Sequence, residues 1–284
     1  MKTVPATPAG PIDDVRRADA RARSALAAAV VRTAQLWRSI ADSSAPVPGL
    51  AWTAGQTAAH VVADMGEYTE VLTRHLNGET AELSIPGGSP ARARNSANDR
   101  HLVDVPERDM RRLADLLEAA AAKYLAAASA IDTSERVALL TADGLVLEPA
   151  VMTCLLLGEQ LVHGLDIARA AHRPWKIERD DALLAIPAAL SLVPKYLRPR
   201  TTNASFELRL RGAPRYRVAI ANGTGVVTVA GEKADCVITA DPVTFLLVGL
   251  NRVPQLPQLL RGKLRAGGRK PWLAAKFGTL LESP

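Results

Sequence analysis

The 284-residue sequence predicts an α+β chain of two domains, an α-helical bundle followed by a smaller domain of mixed strands and helices. Three observations carry this. Four long segments in the first 175 residues repeat apolar residues at helical spacing, whereas after residue 203 short runs of β type take over. Aromatic residues make up only 4% of the chain, so its core has to be built from Ala, Leu, Val and Ile, a composition suited to closely packed helices. The connection at 78–106 is too long for an ordinary helix–helix turn and fits a bundle with one crossover. Residues 14–175 are therefore assigned to the bundle, 176–202 to a linker helix and 203–284 to the smaller domain.

The first helix spans about 14–41, with Val15, Leu26, Val30, Leu36, Trp37 and Ile40 near helical spacing. The second starts at Thr53, where Thr53 and Gln56 form a T-x-x-Q capping box, and stops at Asn77-Gly78. Residues 78–106, rich in Gly, Ser, Pro, Asn and Arg, have no usable period and read as a crossover, an active-site loop or a disordered segment. A third helix covers 107–131 and a fourth 149–171, and one more, carrying Pro187 and Pro194, covers 180–196. Strands follow at 206–211, 216–221, 226–230 and 235–240, with Asn222-Gly223 as the hairpin signal between the middle pair. In the first, Phe206, Leu208 and Leu210 alternate with Glu207, Arg209 and Arg211. Asp241-Pro242 then opens a helix as N-cap and first helical residue, and short Leu-rich helices end the chain.

Several function classes fall away. The net charge of +6 comes from basic residues spread along the chain, with no basic run interleaved with aromatics and no zinc-finger spacing, which argues against a nucleic-acid partner. No apolar stretch reaches the roughly 18–20 residues needed to span a bilayer, and the N-terminus lacks the apolar stretch of a signal peptide. Two distant cysteines, Cys154 and Cys236, make no disulfide framework, and a cytoplasmic location is the expectation. P-loop and dinucleotide fingerprints are missing.

The fourth helix, PAVMTCLLLGEQLVHGLDIARAAH, is apolar almost all round and so belongs deep in the bundle. It nevertheless places Glu159 and His163 four residues apart, on one face and about one turn from each other. A buried carboxylate costs several kcal/mol unless it is compensated. A metal ion is one compensator; a plain Glu–His hydrogen bond, or a Glu at the wet rim of the bundle, is another. A third donor is His60 on the apolar side of the second helix, beside Ala59, Val61, Val62 and Met65, although a lone His60 reads better as a buried, hydrogen-bonded histidine. Three protein ligands with one position open are the pattern of a catalytic zinc. Asp64 and Asp166 are placed to orient the imidazoles as outer acceptors. His75, His101 and His172 read as surface residues, and Cys154, about 140° around the helix from Glu159, as a small buried hydrophobe.

The run WTAGQTAAHVVADM (52–65), followed by GEQLVHGLDIARA (158–170), resembles the DinB-like N-terminal domain of the mycothiol-dependent maleylpyruvate isomerase family. That family has a W-T-x-x-x-x-x-x-H opening and an E-x-x-x-H-G-x-D run on the last bundle helix. Segment 204–240, DPVTFLLVGLNR and LLRGKLRAGG are similar to its sterol-carrier-protein-like C-terminal domain. The resemblance implies a DinB-like four-helix bundle and a sterol-carrier-like domain, with a divalent metal, zinc in first place, on His60, Glu159 and His163. It implies mycothiol as thiol cofactor: the thiolate adds to a cis alkene conjugated to a carbonyl, the single bond rotates, and the thiol leaves. The implied activity is isomerisation or thiol transfer on a small electrophilic substrate, in a monomer or homodimer. Arg252, in GLNRVP, takes the place of the family's basic residue for the substrate carboxylates, with Asn251 where glycine usually stands. The alternative is a non-catalytic, metal-stabilised binding protein whose second domain carries an apolar ligand, with the helix at 243–250 lining a tunnel.

Overall fold

The computed structural model describes residues 10–79, 90–132, 136–198, 203–229 and 231–282. It divides into two compact units, one of residues 18–185 and the other of the described residues up to 17 together with 186–282.

The helical unit holds most of α1 (Pro11–Arg38), α2 (Ala54–Leu76), α3 (Pro90–Asp104), α4 (Met110–Ala130), a two-stranded hairpin of β1 (Leu139–Leu140) and β2 (Val146–Leu147), and α5 (Pro149–Ala170). Its last element, α6 (Arg179–Leu192), begins here. The α2 helix sits in the middle of the packing, against α4, α5 and α3. Its start is set by the Thr53–Gln56 box: Gln56 N–H donates to Thr53 Oγ1 (3.3 Å) while Thr53 N–H donates to Gln56 Oε1 (2.9 Å). From that cap, Ala54, Ala58, Val61, Met65, Tyr68 and Leu72 form the buried stripe. Small residues let the backbones approach, and Trp37, Tyr124, Leu113, Leu117, Leu156 and Leu157 fill the remaining space.

Two expectations change here. Residues 90–104 form a helix, not part of a loop, while residues 80–89 lie outside the described part. The inner face of α3 is Ala91, Arg94, Ala97 and His101, helically spaced but small or polar, so an apolar period could not reveal it. The second concerns α5. By length and composition this helix could cross a membrane, because Glu159, His163 and Asp166 interrupt its apolar sequence without lowering its average enough. In the structure it is a core helix, with 72% of its most apolar window buried.

The other unit is built on a five-stranded sheet of β3 (Ala204–Leu210), β4 (Arg215–Ala221), β5 (Thr224–Val229), β6 (Cys236–Ala240) and β7 (Leu264–Gly267), in the order β5-β4-β3-β6-β7. All neighbours are antiparallel except β3 and β6. The Asn222-Gly223 turn has both residues at positive φ (52° and 75°), which the tight β4–β5 hairpin requires. Strand β7 lies in a stretch expected to hold short helices and a turn, with no strand; its Leu264 is the residue that reaches the core, and its short run of Arg and Gly carries little strand signal. Phe206, Leu208, Leu210, Tyr216, Val218, Ile220 and Ile238 are buried, and α7 (Pro242–Gly249), α8 (Gln255–Leu260) and a 3-10 helix, α9 (Pro271–Leu280), complete the unit. Asp241 caps α7, its Oδ1 accepting from Thr244 N–H at 3.1 Å, with Pro242 in the first helical position.

At the start of β6, Asp235 accepts from Ser205 N–H and Oγ and pairs with Arg269 and Lys270. The Arg269 hydrogen bond outweighs the opposing effect of burial, and with Lys270 holds this carboxyl at about 2, below its ordinary 3.8. A depressed carboxyl stabilises the fold above its unfolded value and loses that contribution as pH falls through the folded one. Urea titrations from pH 6 to pH 2 should therefore show wild type converging on Asp235→Asn between roughly pH 4 and 2. A stability gap that stays constant over that range would show that the Asp235 charge contributes nothing.

Candidate metal centre

Three side chains meet where α2 crosses α5. Glu159 and His163, one turn apart on α5, come together with Glu159 Oε2 at 3.0 Å from His163 Nε2. The third, His60 of α2, brings its Nε2 to 3.6 Å from the same Glu159 oxygen. One ligand atom from each of the three falls within 4.8 Å of the others. The two imidazoles stand edge to face, 5.2 Å between centroids, so their ring nitrogens converge instead of stacking. Trp52, just ahead of the α2 cap, lies against His60 at 5.0 Å and limits its swing. The His60 and His163 side chains are 4% and 11% exposed against 29% for Glu159, so the cluster is reached from the Glu159 side.

The charges form a coherent set. Burial alone would raise the Glu159 carboxyl, but the His163 and His60 imidazoles hold it well below the usual carboxylate range. Burial lowers His60, which favours the neutral imidazole that metals bind. For His163 burial also acts downward, but Asp166 and Glu159 outweigh it and push the imidazole up to about 9. One positive charge, proton or metal ion, is thus what this carboxylate requires. Two neutral-capable imidazole nitrogens and one carboxylate oxygen on rigid helices fit a divalent ion of the zinc class, so His60, Glu159 and His163 could hold one.

Of the two acidic residues expected to orient the imidazoles, one does so. Asp166 Oδ2 is 3.0 Å from His163 Nδ1, which leaves Nε2 facing Glu159. Asp64 does not serve His60; it is buried against the Arg94 guanidinium, which also lies 3.7 Å from Asp143 of the β1–β2 hairpin. The neighbour of His60 Nδ1 is His101 Nδ1, at 3.0 Å. His101 was expected on the surface and is 3% exposed; its polar helix hid it. A His at helical spacing from Ala97 and Arg94 was the available signal. His75 and His172 lie outside the cluster, and Cys154 is fully buried, its thiol pushed up to about 12 by burial and then by Asp19.

The glycine after His163 has a packing role. A Cβ on Gly164 would lie 2.2 Å from Trp175 Cζ2, and Trp175 Nε1–H donates to the Leu161 carbonyl at 3.0 Å. Thus the H-G-x-D run combines a donor, a flat site for Trp175 and the carboxylate that orients the donor.

No family profile matches this sequence, and no curated protein matches it. Among solved structures, that of a mycothiol-dependent maleylpyruvate isomerase superposes with a TM-score of 0.59, covering 88% of this chain and 92% of its own at 12% identity. A histidine-to-alanine mutant of such an isomerase gives 0.58 over the same shares, also at 12% identity. The chain has the fold of this isomerase.

Within that isomerase fold, Arg252 belongs to the sheet-bearing unit, just after α7, where Nη1 donates to the Leu250 carbonyl at 2.8 Å. Asn251, standing where the family's motif has glycine, adopts φ +57°, the left-handed conformation that glycine favours and asparagine tolerates. This left-handed residue forms the turn from which Arg252 follows.

Gly164→Ala should lower stability by about 1–3 kcal/mol, the usual cost of overpacking. Gly158→Ala on the same helix, where a Cβ would meet only Ala185 Cβ at 3.7 Å, should be neutral or slightly stabilising. Urea midpoints measure both, and equal midpoints would refute the packing role of Gly164.

Proposed function

We propose that this chain is a metal-dependent enzyme that uses a small-molecule thiol, mycothiol, for isomerisation or thiol transfer on a small electrophilic substrate. The observation that carries it is the convergence of His60, Glu159 and His163 on one partly open point. The fold it shares with a mycothiol-dependent isomerase supports the choice of thiol.

In this reading His60, Glu159 and His163 hold a divalent ion, zinc being favoured by the donor set. Such an ion supplies Lewis acidity that brings a thiol's pKa toward neutrality, and the thiol supplies the nucleophile. The chain's own residues prepare the site. Asp166 accepts the Nδ1 hydrogen of His163 and so keeps Nε2 toward the ion. Glu159 offers an ionised oxygen between the two imidazoles, and Trp52 shields one side of His60. Arg252 is the proposed anchor for substrate carboxylates, on the strength of its place in the motif and of the left-handed turn at Asn251 before it.

A second reading has its own observation. The sheet-bearing unit contains a cavity of about 460 Å³ lined by Ile238, Phe245, Val248, Leu264 and Phe277, with Arg198 and Arg252 also in its wall. This supports an apolar carrier, with the metal as a structural element.

The purified protein should contain about one divalent ion per chain; His163→Ala should lose most of it and His75→Ala none. With mycothiol added, wild type should turn over a cis-enoyl dicarboxylate, and without thiol it should not. Equal metal content in the two mutants would refute the ligand set. Full metal with no thiol binding by calorimetry and no thiol-dependent turnover would favour the carrier.

A further inference from the structure

Glu67 follows His60 by seven residues, close to two turns, so both project from one side of α2. His101 of α3 spans the gap. Its Nδ1 lies 3.0 Å from His60 Nδ1 and its Nε2 lies 3.0 Å from Glu67 Oε2. The side chains are 4% exposed for His60 and His101 and 12% for Glu67, so water has little access to the chain of three. The His60 and His101 rings are 5.1 Å apart and tilted by 34°, which suits nitrogen-to-nitrogen bonding in preference to stacking.

The chemistry of the end group gives this chain a direction. Burial raises the Glu67 carboxyl, but the His101 bond and the Arg94 charge outweigh it, leaving an ionised group that only accepts. The hydrogen between Glu67 and His101 therefore sits on His101 Nε2. A neutral His101 then has a bare Nδ1, so the hydrogen between the rings belongs to His60 Nδ1. That leaves His60 with its lone pair on Nε2, the nitrogen 3.6 Å from the Glu159 oxygen. Two electron-rich atoms facing each other call for a cation between them, and Nε2 is the atom a metal would take.

We propose that Glu67 and His101 are positioning residues that impose on His60 the tautomer with Nδ1 protonated and Nε2 free for the metal. The proposal rests on the metal reading above and adds a carboxylate–histidine–histidine chain whose middle member, His101, sits on a helix that contributes no ligand. It also parallels Asp166 and His163, where a carboxylate holds the other imidazole directly.

The five histidines of the chain make the test tractable by long-range proton–nitrogen spectra of ¹⁵N-histidine protein, with and without zinc. Zinc-loaded wild type should show His60 protonated at Nδ1 with zinc on Nε2, and His101 protonated at Nε2 alone. His101→Phe should weaken zinc about 10- to 100-fold in chelator competition. Glu67→Gln, which keeps an accepting oxygen, should recover most of the affinity lost in Glu67→Leu. The Glu67→Leu/His101→Phe double variant should bind no more weakly than His101→Phe alone. A proton on His101 Nδ1, or wild-type zinc affinity in folded His101→Phe, overturns the proposal. If wild type binds no zinc, the metal reading fails separately. The metal-free spectrum then decides the relay: a bare His101 Nδ1 supports it, and a protonated one refutes it.

Discussion

An ionised carboxylate inside a helix bundle needs positive charge beside it, and the arrangement around Glu159 follows from that need. Glu159 sits on a long, apolar core helix, where an uncompensated charge would cost several kcal/mol. His163 one turn along and His60 from the facing helix meet it at one oxygen. Each imidazole is then held from behind, His163 by Asp166 and His60 by His101. The packing serves the same end: the Thr53 cap sets where α2 begins, Gly164 admits Trp175, and Arg94 fastens α3 between Asp64 and Asp143.

Much of this was legible in the sequence, for identifiable reasons. The capping box at Thr53, the Asn222-Gly223 turn and the Asp241-Pro242 helix start are local signals whose chemistry lies within a few residues, and each forms as read. Glu159, His163 and Asp166 share a face because helical geometry alone puts them there. Placing His60 opposite them required the further inference that an apolar-faced histidine points into the bundle.

The parts that were hidden depend on contacts between distant polar groups. The inward face of α3 holds Arg94 and His101, and no apolar period can mark a helix whose buried side is polar. Asp64 was expected to serve His60 because it lies one turn away, but a guanidinium thirty residues on offers it a full counter-charge, and that stronger pairing prevails. Strand β7 escaped notice because sheet pairing with β6, and not side-chain character, makes it a strand.

The central claim is that the Glu159 carboxylate is one donor of a three-residue metal site. X-ray absorption at the zinc edge of the loaded, full-length protein tests it most directly. The account predicts a shell of nitrogen and oxygen at about 2.0–2.2 Å with the multiple-scattering signature of two imidazoles and no sulfur, and loss of one imidazole in His60→Ala. A shell containing cysteine sulfur near 2.3 Å, or one unchanged in His60→Ala, would contradict it.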